Sequence, residues 1–158
     1  KTSWIIPSPS PLHSLLPHSP LTSLSPSPSL PLLLAGHTGG VYCLAPLPGR
    51  WPGVFASGSD DKTVRVWVAE RAGAGSGTAG ELLCRCVAVL PSDGESWIQS
   101  LIALPDGSLV CGTDSGDINV LAGGKVTATM SGHRGWVWGL TQGADGRVWS
   151  ASFDGYVL

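Results

Sequence analysis

A combination of four residue types occurs twice in this chain, and it limits the fold more than any other feature of the sequence. In the first copy, Gly36 and His37 are followed by Ser57, by Asp61 four residues later and by Trp67 after six more. The second copy begins ninety-six residues after the first and consists of Gly132, His133, Ser150 and Asp154. A chain that repeats such a combination is built from repeated structural units.

Short apolar runs separated by turn signals predict β-strands along most of the chain. The runs are rich in Val, Leu, Ile and Trp and are bounded by Asp-Gly, Pro-Gly and Gly-Gly pairs, which is typical of antiparallel strands joined by tight turns. No window has the apolar spacing of an amphipathic helix. The predicted strands are 41–45, 54–58, 63–69, 82–89, 98–104, 108–112, 117–121, 125–130, 136–141 and 147–152.

A degenerate copy lies between the two clear ones. Aligning Trp97 with Trp136, thirty-nine residues later, brings the middle of the chain into the same frame as the other copies. The positions of His, Ser, Asp and Trp are then occupied by Gly94, Cys111, Ser115 and Leu121. The middle copy therefore has none of the four residue types at their usual positions.

The combination resembles the WD-repeat family of β-propeller proteins. In that family the Asp lies in the turn between the second and third strands of a blade and accepts a hydrogen bond from the His. The Ser hydroxyl then joins the His to the Trp indole, so that every buried polar group has a partner. The resemblance implies these structural roles for His37, Ser57, Asp61, Trp67, His133, Ser150 and Asp154. The Trp of the last copy would fall beyond Leu158.

We therefore expect an all-β fold that is a partial β-propeller, with about two and a half to three four-stranded antiparallel blades and incomplete at the C-terminus. A propeller closes with about four to eight blades. Blades without neighbours would leave apolar faces and strand edges open. We accordingly expect further blades from a full-length chain.

Composition divides the chain at about residue 31. Residues 1–31 contain eight Pro and nine Ser, no Gly, and Lys1 as the only formal charge. Five Ser-Pro steps favour extended or turning backbone, so we expect a disordered segment at 1–31 and the propeller fragment at 32–158. Two interpretations of the segment stay open. It is a linker or an artefact of gene prediction, or else it carries proline-directed phosphorylation sites or a ligand for an aromatic-lined groove.

Charge and hydropathy exclude several classes of partner. The formal net charge is −2 and the pI is about 6.0, whereas nucleic-acid binding normally needs clustered Lys and Arg. No apolar run is long enough to cross a membrane, and the first residues lack the basic start and apolar core of a signal peptide. We expect no nucleic-acid or membrane partner, and an intracellular location, cytoplasmic or nuclear.

Neither a metal nor a cofactor is expected. Cys84 and Cys86 are separated by one residue instead of the usual two of zinc sites, and no His lies near them. Residues 75–80 spell G-x-G-x-x-G, but a strand follows in place of the helix that would hold a pyrophosphate. The four cysteines, which also include Cys43 and Cys111, are expected to be structural thiols.

His37, Ser57 and Asp61 also contain the residue types of a hydrolase triad. Catalysis would require the serine to be exposed beside its base and near oxyanion donors. The same trio recurs as His133, Ser150 and Asp154, tied to strand and turn positions, which indicates a structural device. We therefore expect no enzymatic activity.

The expected function is a non-enzymatic protein–protein interaction scaffold within a larger regulatory or adaptor protein, with other proteins or peptides as partners. A truncated propeller remnant without activity and a Ser/His/Asp hydrolase are the alternatives. In the family that the chain resembles, partners often contact one end of the disc, and the matching positions are Trp97, Trp136, Arg134, Asp60 and Phe153. Trp and Arg dominate interface energies, although packing of each Trp between blades is an equally open interpretation.

Overall fold

The computed structural model describes residues 34–49, 53–71, 82–92 and 94–158, and these residues form ten β-strands and no helix. Consequently no helix in these ranges could span a membrane. The Pro/Ser-rich segment 1–31 and the glycine-rich stretch 75–80 lie outside the described residues. The strands are β1 (Val41–Pro46), β2 (Val54–Ser59), β3 (Thr63–Arg71), β4 (Leu82–Pro91), β5 (Ile98–Ala103), β6 (Leu109–Thr113), β7 (Asp117–Ala122), β8 (Lys125–Ser131), β9 (Val137–Gln142) and β10 (Val148–Ser152). All ten predicted strands are confirmed, each with boundaries within two residues of those expected.

The strands form three antiparallel sheets in chain order. The first sheet is β1-β2-β3-β4, the second is β5-β6-β7-β8, and the third contains β9 and β10. A third strand begins in the last sheet, because Val157 forms a bridge with Ala151 and the backbones of Ser150 and Leu158 exchange hydrogen bonds at 2.9 and 3.0 Å. The all-β partial propeller expected from the sequence is therefore confirmed.

Strand pairing places the three copies in the same register. Leu44 pairs with Ser57 in the first sheet, and the corresponding pairs are Leu101 with Cys111 and Leu140 with Ser150. Each pairing also contains a register shift near the start of the first strand. Such bulges redirect a side chain and add twist to the strand. The degenerate middle copy thus has the same backbone plan as the two clear copies.

The apolar core lies between successive sheets. Between the first and second sheets, Ala56, Val64 and Val66 form a cluster with Ile98 and Leu109. A second cluster joins Val110 and Val120 of the second sheet to Val137 of the third. Residues two apart on a strand share a face, which is why Leu109 belongs to one cluster and Val110 to the other.

A glycine permits the close approach of the second and third sheets. A Cβ atom on Gly112 would lie 2.5 Å from both the Ser100 hydroxyl oxygen and a Val137 methyl carbon. The Ser100 hydroxyl donates to the Val137 carbonyl oxygen at 2.7 Å and so joins the two sheets directly. A side chain at position 112 would force Ser100 or Val137 to shift.

The first and third sheets each have one apolar face that no described residue covers. Val41 and Leu44 are exposed on the first sheet, and Trp149 is exposed on the third. Their counterparts Ile98 and Leu101 in the second sheet are buried against the first. Uncovered faces of this kind normally bind another sheet or another protein.

Candidate functional site

His37 lies in the loop that leads into β1 and bonds through both ring nitrogens. Its Nδ1 lies 2.8 Å from Oδ2 of Asp61, in the turn between β2 and β3, and its Nε2 lies 2.6 Å from Oγ of Ser57 on β2. The indole N–H of Trp67 on β3 donates to the same hydroxyl oxygen at 2.8 Å. The structure thus brings together all four residues of the first copy.

One assignment of protons satisfies all three bonds. The Asp61 carboxylate can only accept, so Nδ1 of His37 carries the proton and donates it. Nε2 then accepts from the Ser57 hydroxyl, whose oxygen accepts from Trp67. The donors point in one direction, from indole through hydroxyl and imidazole to carboxylate. This tautomer follows from the network, and it leaves each buried group with a partner.

Asp61 also bonds to the backbone on both sides of the network. Its Oδ2 accepts from the N–H of Thr38 at 3.1 Å, and its Oδ1 accepts from the N–H and the hydroxyl of Thr63 at 3.0 and 2.6 Å. The next residue, Lys62, has a φ of 68°, in the left-handed region that tight turns require. The carboxylate therefore joins the loop before β1 to the β2–β3 turn.

The last copy has the same arrangement without a tryptophan. Nδ1 of His133 lies 3.0 Å from Oδ2 of Asp154, and Nε2 lies 2.9 Å from Oγ of Ser150. Asp154 accepts from the N–H of Arg134 at 2.8 Å and from that of Tyr156 at 3.0 Å. The repeated motif therefore produces the same loop-to-turn connection twice.

Hydrogen bonding lowers the pKa of both turn aspartates. For Asp61, burial opposes ionisation, but bonds from the Thr63 hydroxyl, from His37 and from backbone amides outweigh it and hold the pKa well below its ordinary value. For Asp154, the Arg134 amide is the largest cause, and with Tyr156 and His133 it lowers the pKa to about 2. Both carboxylates therefore act as acceptors throughout the neutral range.

In the middle copy, apolar packing and hydroxyl bonds replace this network. Cys111 and Leu121 are fully buried in the core shared with the first sheet. Ser115 occupies the turn position, is exposed, and bonds to the Thr113 hydroxyl at 2.8 Å and the Ser96 hydroxyl at 3.2 Å. Gly94 has a φ of 83°, a conformation that a histidine would adopt only with strain.

The geometry around Ser57 does not suit nucleophilic catalysis. The order carboxylate–imidazole–hydroxyl matches that of a hydrolase triad, but the Ser57 residue is only 2% exposed. Its oxygen also accepts a hydrogen bond from the Trp67 indole N–H. This bond uses a lone pair that a nucleophile would need for attack. The Ser57 hydroxyl is therefore already engaged by both His37 and Trp67.

Three exposed aromatic side chains form a cluster at the end of the sheets where the two histidine loops lie. We call Trp136, Trp138 and Phe153 the aromatic patch. Its ring centroids are 5.9 to 6.3 Å apart, with interplanar angles of 17 to 36°. The exposed fractions are 43% for Trp136, 59% for Trp138 and 76% for Phe153. The patch is therefore open to solvent. Its backbone is held in place because the N–H of Phe153 donates to the carbonyl oxygen of Trp136 at 2.9 Å.

The other residues predicted to bind partners lie on equivalent loops and turns. Trp97 is exposed, and its N–H donates at 2.8 Å to Asp114 in the β6–β7 turn. Arg134 is exposed and lies two residues before Trp136 in sequence, and Asp60 is half-buried in the β2–β3 turn.

The predicted set of partner-binding residues does not include Trp138. The bulge that leaves it without a cross-strand partner in β9 places it beside Trp136, and the two-residue spacing of these tryptophans was the available signal.

The described residues contain no group of three or more His, Cys, Asp or Glu side chains that could hold a metal ion. Burial raises the pKa of the Cys43 thiol to about 11. Because the thiolate is the form that binds metals, Cys43 is a poor ligand at neutral pH.

Comparison with known proteins agrees with the fold and with the repeated network. The family model of the WD domain, G-beta repeat, matches residues 31–68 and 124–158. These ranges contain the two clear copies and leave out the degenerate one. By this match, the two clear copies are WD repeats. No curated protein matches it in sequence.

Solved WD40 structures superpose on most of the chain. The crystal structure of RRP9 WD40 repeats matches with a TM-score of 0.59 and 24% identity over 77% of this chain and 35% of that one. The structure of U3-55K matches with a TM-score of 0.59 and 25% identity, over 77% and 36%. The chain thus spans about a third of the length of these structures. The likeness establishes the architecture and leaves partners to be inferred from the site.

Replacing Asp61 by alanine should destabilise the protein. The change removes the acceptor for His37 and for two backbone amides, and each buried donor left without a partner costs about 1–3 kcal/mol. Urea unfolding of the full chain measures the loss. Ser115→Ala is the matched control at the same turn position, and we expect a change within about 0.5 kcal/mol because Ser115 is exposed. Equal effects of the two substitutions would contradict a structural role for the Asp61 bonds.

Stability should also fall in acid because of Asp154. Its pKa is about 2 in the folded protein against an ordinary 3.8, so its stabilising contribution is complete above pH about 4 and is lost as the pH falls towards 2. Asp154→Asn should therefore flatten the decline of unfolding free energy between pH 4 and 2. An unchanged slope in Asp154→Asn would show that its bonds are not maintained in solution.

Proposed function

We propose that this part of the chain is a non-enzymatic protein-binding platform whose recognition surface includes the aromatic patch. WD-repeat domains generally serve as interaction scaffolds, and the observation that favours this end of the sheets is the exposure of three adjacent aromatic rings. Contiguous exposed apolar surface in a folded protein commonly marks a binding site. Trp is also the residue type most enriched at energetic hot spots.

Rigidity of the patch supports the same proposal. Phe153 is held by its backbone bond to Trp136, and the adjacent Asp154 bonds to the N–H of Arg134. Little ordering is then required when a partner binds, and a preorganised surface retains more of its contact energy as affinity. Arg134 adds an exposed cation able to pair with a partner carboxylate or stack on a ring.

The absence of catalysis is likewise proposed from geometry. Ser57 is buried and bonded to Trp67, and the related Ser150 is also buried. The His, Ser and Asp trio occurs in two equivalent places, and each copy connects a loop to a turn. This arrangement suits a structural role better than catalysis. The hydrolase alternative, with His37, Ser57 and Asp61 as the triad, would require Ser57 to become accessible.

We further propose that additional blades of a longer chain cover the outer faces of the first and third sheets. Val41, Leu44 and Trp149 are exposed there, whereas the equivalent surface between the described sheets is packed. Burying these side chains would add about 25 cal/mol per Å² of apolar area. The intracellular location stays a prediction of the sequence.

Selection of peptides against the full chain tests the binding surface. Peptides from a random display library should bind with affinities that fall at least tenfold in Trp136→Ala, as expected for an aromatic anchor worth about 1.4 kcal/mol or more. Trp149→Ala is the matched control, because both tryptophans are 43% exposed but Trp149 lies outside the patch. Binding that survives Trp136→Ala and is lost in Trp149→Ala would place recognition on the uncovered face of the third sheet and refute the proposal.

A further inference from the structure

We propose that the aromatic patch binds the chain's own Pro/Ser-rich segment, through Pro17 and Pro20, in the same molecule. This inference rests on the proposed function, because it names an occupant of the same surface. It adds a regulatory consequence, since a partner must displace the segment before it can bind.

The shape of the patch favours a proline-rich occupant. The rings of Trp138 and Phe153 lie at 17° to each other, and those of Trp136 and Trp138 at 20°. Nearly parallel, exposed rings about 6 Å apart offer flat apolar faces to proline rings. An indole N–H can donate to a carbonyl oxygen of an extended peptide. Aromatic-lined surfaces of this type recognise polyproline II segments.

The segment has the matching chemistry. It contains two P-x-x-P motifs, Pro17 to Pro20 and Pro28 to Pro31. In a polyproline II helix, which has three residues per turn, the two prolines of such a motif lie on the same edge. Lys1 is the only formal charge among residues 1–31, so docking on apolar rings would desolvate almost no charged group. The low ordering cost of polyproline II further favours binding.

Chain length distinguishes the two motifs. The patch lies two sheets away from Leu34, where the described residues begin, and packed sheets are about 10 Å apart, so the span is roughly 20 Å. A polyproline II path covers about 3.1 Å per residue. From Leu34 it would reach about 43 Å back to Pro20 but only about 9 Å back to Pro31. Only the Pro17–Pro20 motif can therefore reach the patch within one molecule.

Because the segment is tethered to the propeller, even a weak affinity for the aromatic patch would keep it bound in most molecules. A segment joined by a short linker has an effective concentration on the order of a millimolar. A free peptide with a Kd of about 100 µM would then occupy the patch in about nine of ten molecules when tethered. Loss of both Pro17 and Pro20 rings, with a tenfold weaker Kd, would reduce the occupancy to about half.

Fluorine NMR of the full chain labelled with 5-fluorotryptophan tests the proposal, with signals assigned by Trp136→Phe, Trp138→Phe and Trp149→Phe. In the Pro17→Ala/Pro20→Ala double variant, we expect the Trp136 and Trp138 signals to shift and the Trp149 signal to stay. The matched control, Pro28→Ala/Pro31→Ala, should leave all three signals at their wild-type positions. Adding a synthetic peptide of residues 1–31 to the Pro17→Ala/Pro20→Ala protein should return the two patch signals towards wild type.

Three results would overturn the proposal. The first is identical patch signals in both double variants together with no response to the peptide. The second is an equal shift in the Pro28→Ala/Pro31→Ala control. The third is a dependence of the wild-type signals on protein concentration, which would show binding between two copies. Library peptides that still require Trp136 would preserve the proposed function in each case, so the two claims fail separately.

Discussion

The arrangement of this fold depends on one chain of hydrogen bonds in which an imidazole ring links an aspartate to a serine. His37 bonds to Asp61 on one side and to Ser57 on the other, and Trp67 completes the chain. The four residues come from a loop, two strands and a turn that are distant in sequence. Since leaving a buried polar group without a partner costs about twice the net gain of a typical hydrogen bond, we infer that the network holds these segments in a single arrangement. The exposed residues beside the β2–β3 turn are then held in place by the same network.

The middle sheet shows what happens when that network is absent. Other sheets cover it on both faces, and Cys111 and Leu121 fill the positions of the serine and the tryptophan with apolar contacts. Burial of hydrocarbon is sufficient to fix the strands there, and the buried Thr113 hydroxyl holds the turn through bonds to the carbonyl oxygen and the N–H of Asp117. The polar network is therefore one of two ways in which this chain builds the same register. In all three copies a turn carboxylate accepts from a loop N–H: Asp61 from Thr38, Asp154 from Arg134, and Asp114 from Trp97 in the middle copy.

Much of the fold could be predicted because its signals are local. Asp-Gly and Gly-Gly pairs define turns, and short apolar runs between them leave little choice of strand boundaries, which is why all ten strands agree. The resemblance to WD repeats also pointed to the residues that converge on His37 and His133. The exposure of Trp136 could not be predicted, because a tryptophan at the start of a strand may lie at either the rim or the core. The bulge that places Trp138 beside Trp136 likewise depends on pairing with β10, which no short stretch of sequence encodes.

A double-mutant cycle between Ser57→Ala and Asp61→Ala tests the central claim most directly. These residues bond to opposite nitrogens of the same His37 ring, so a change at one should alter the cost of a change at the other. Urea unfolding of the wild type, both single variants and the double variant of the full chain should give a coupling free energy of about 0.5–3 kcal/mol. Additive effects, within about 0.3 kcal/mol, would show that the His37 ring does not couple Asp61 in the turn to Ser57 on the strand. That result would contradict the structural role of the network.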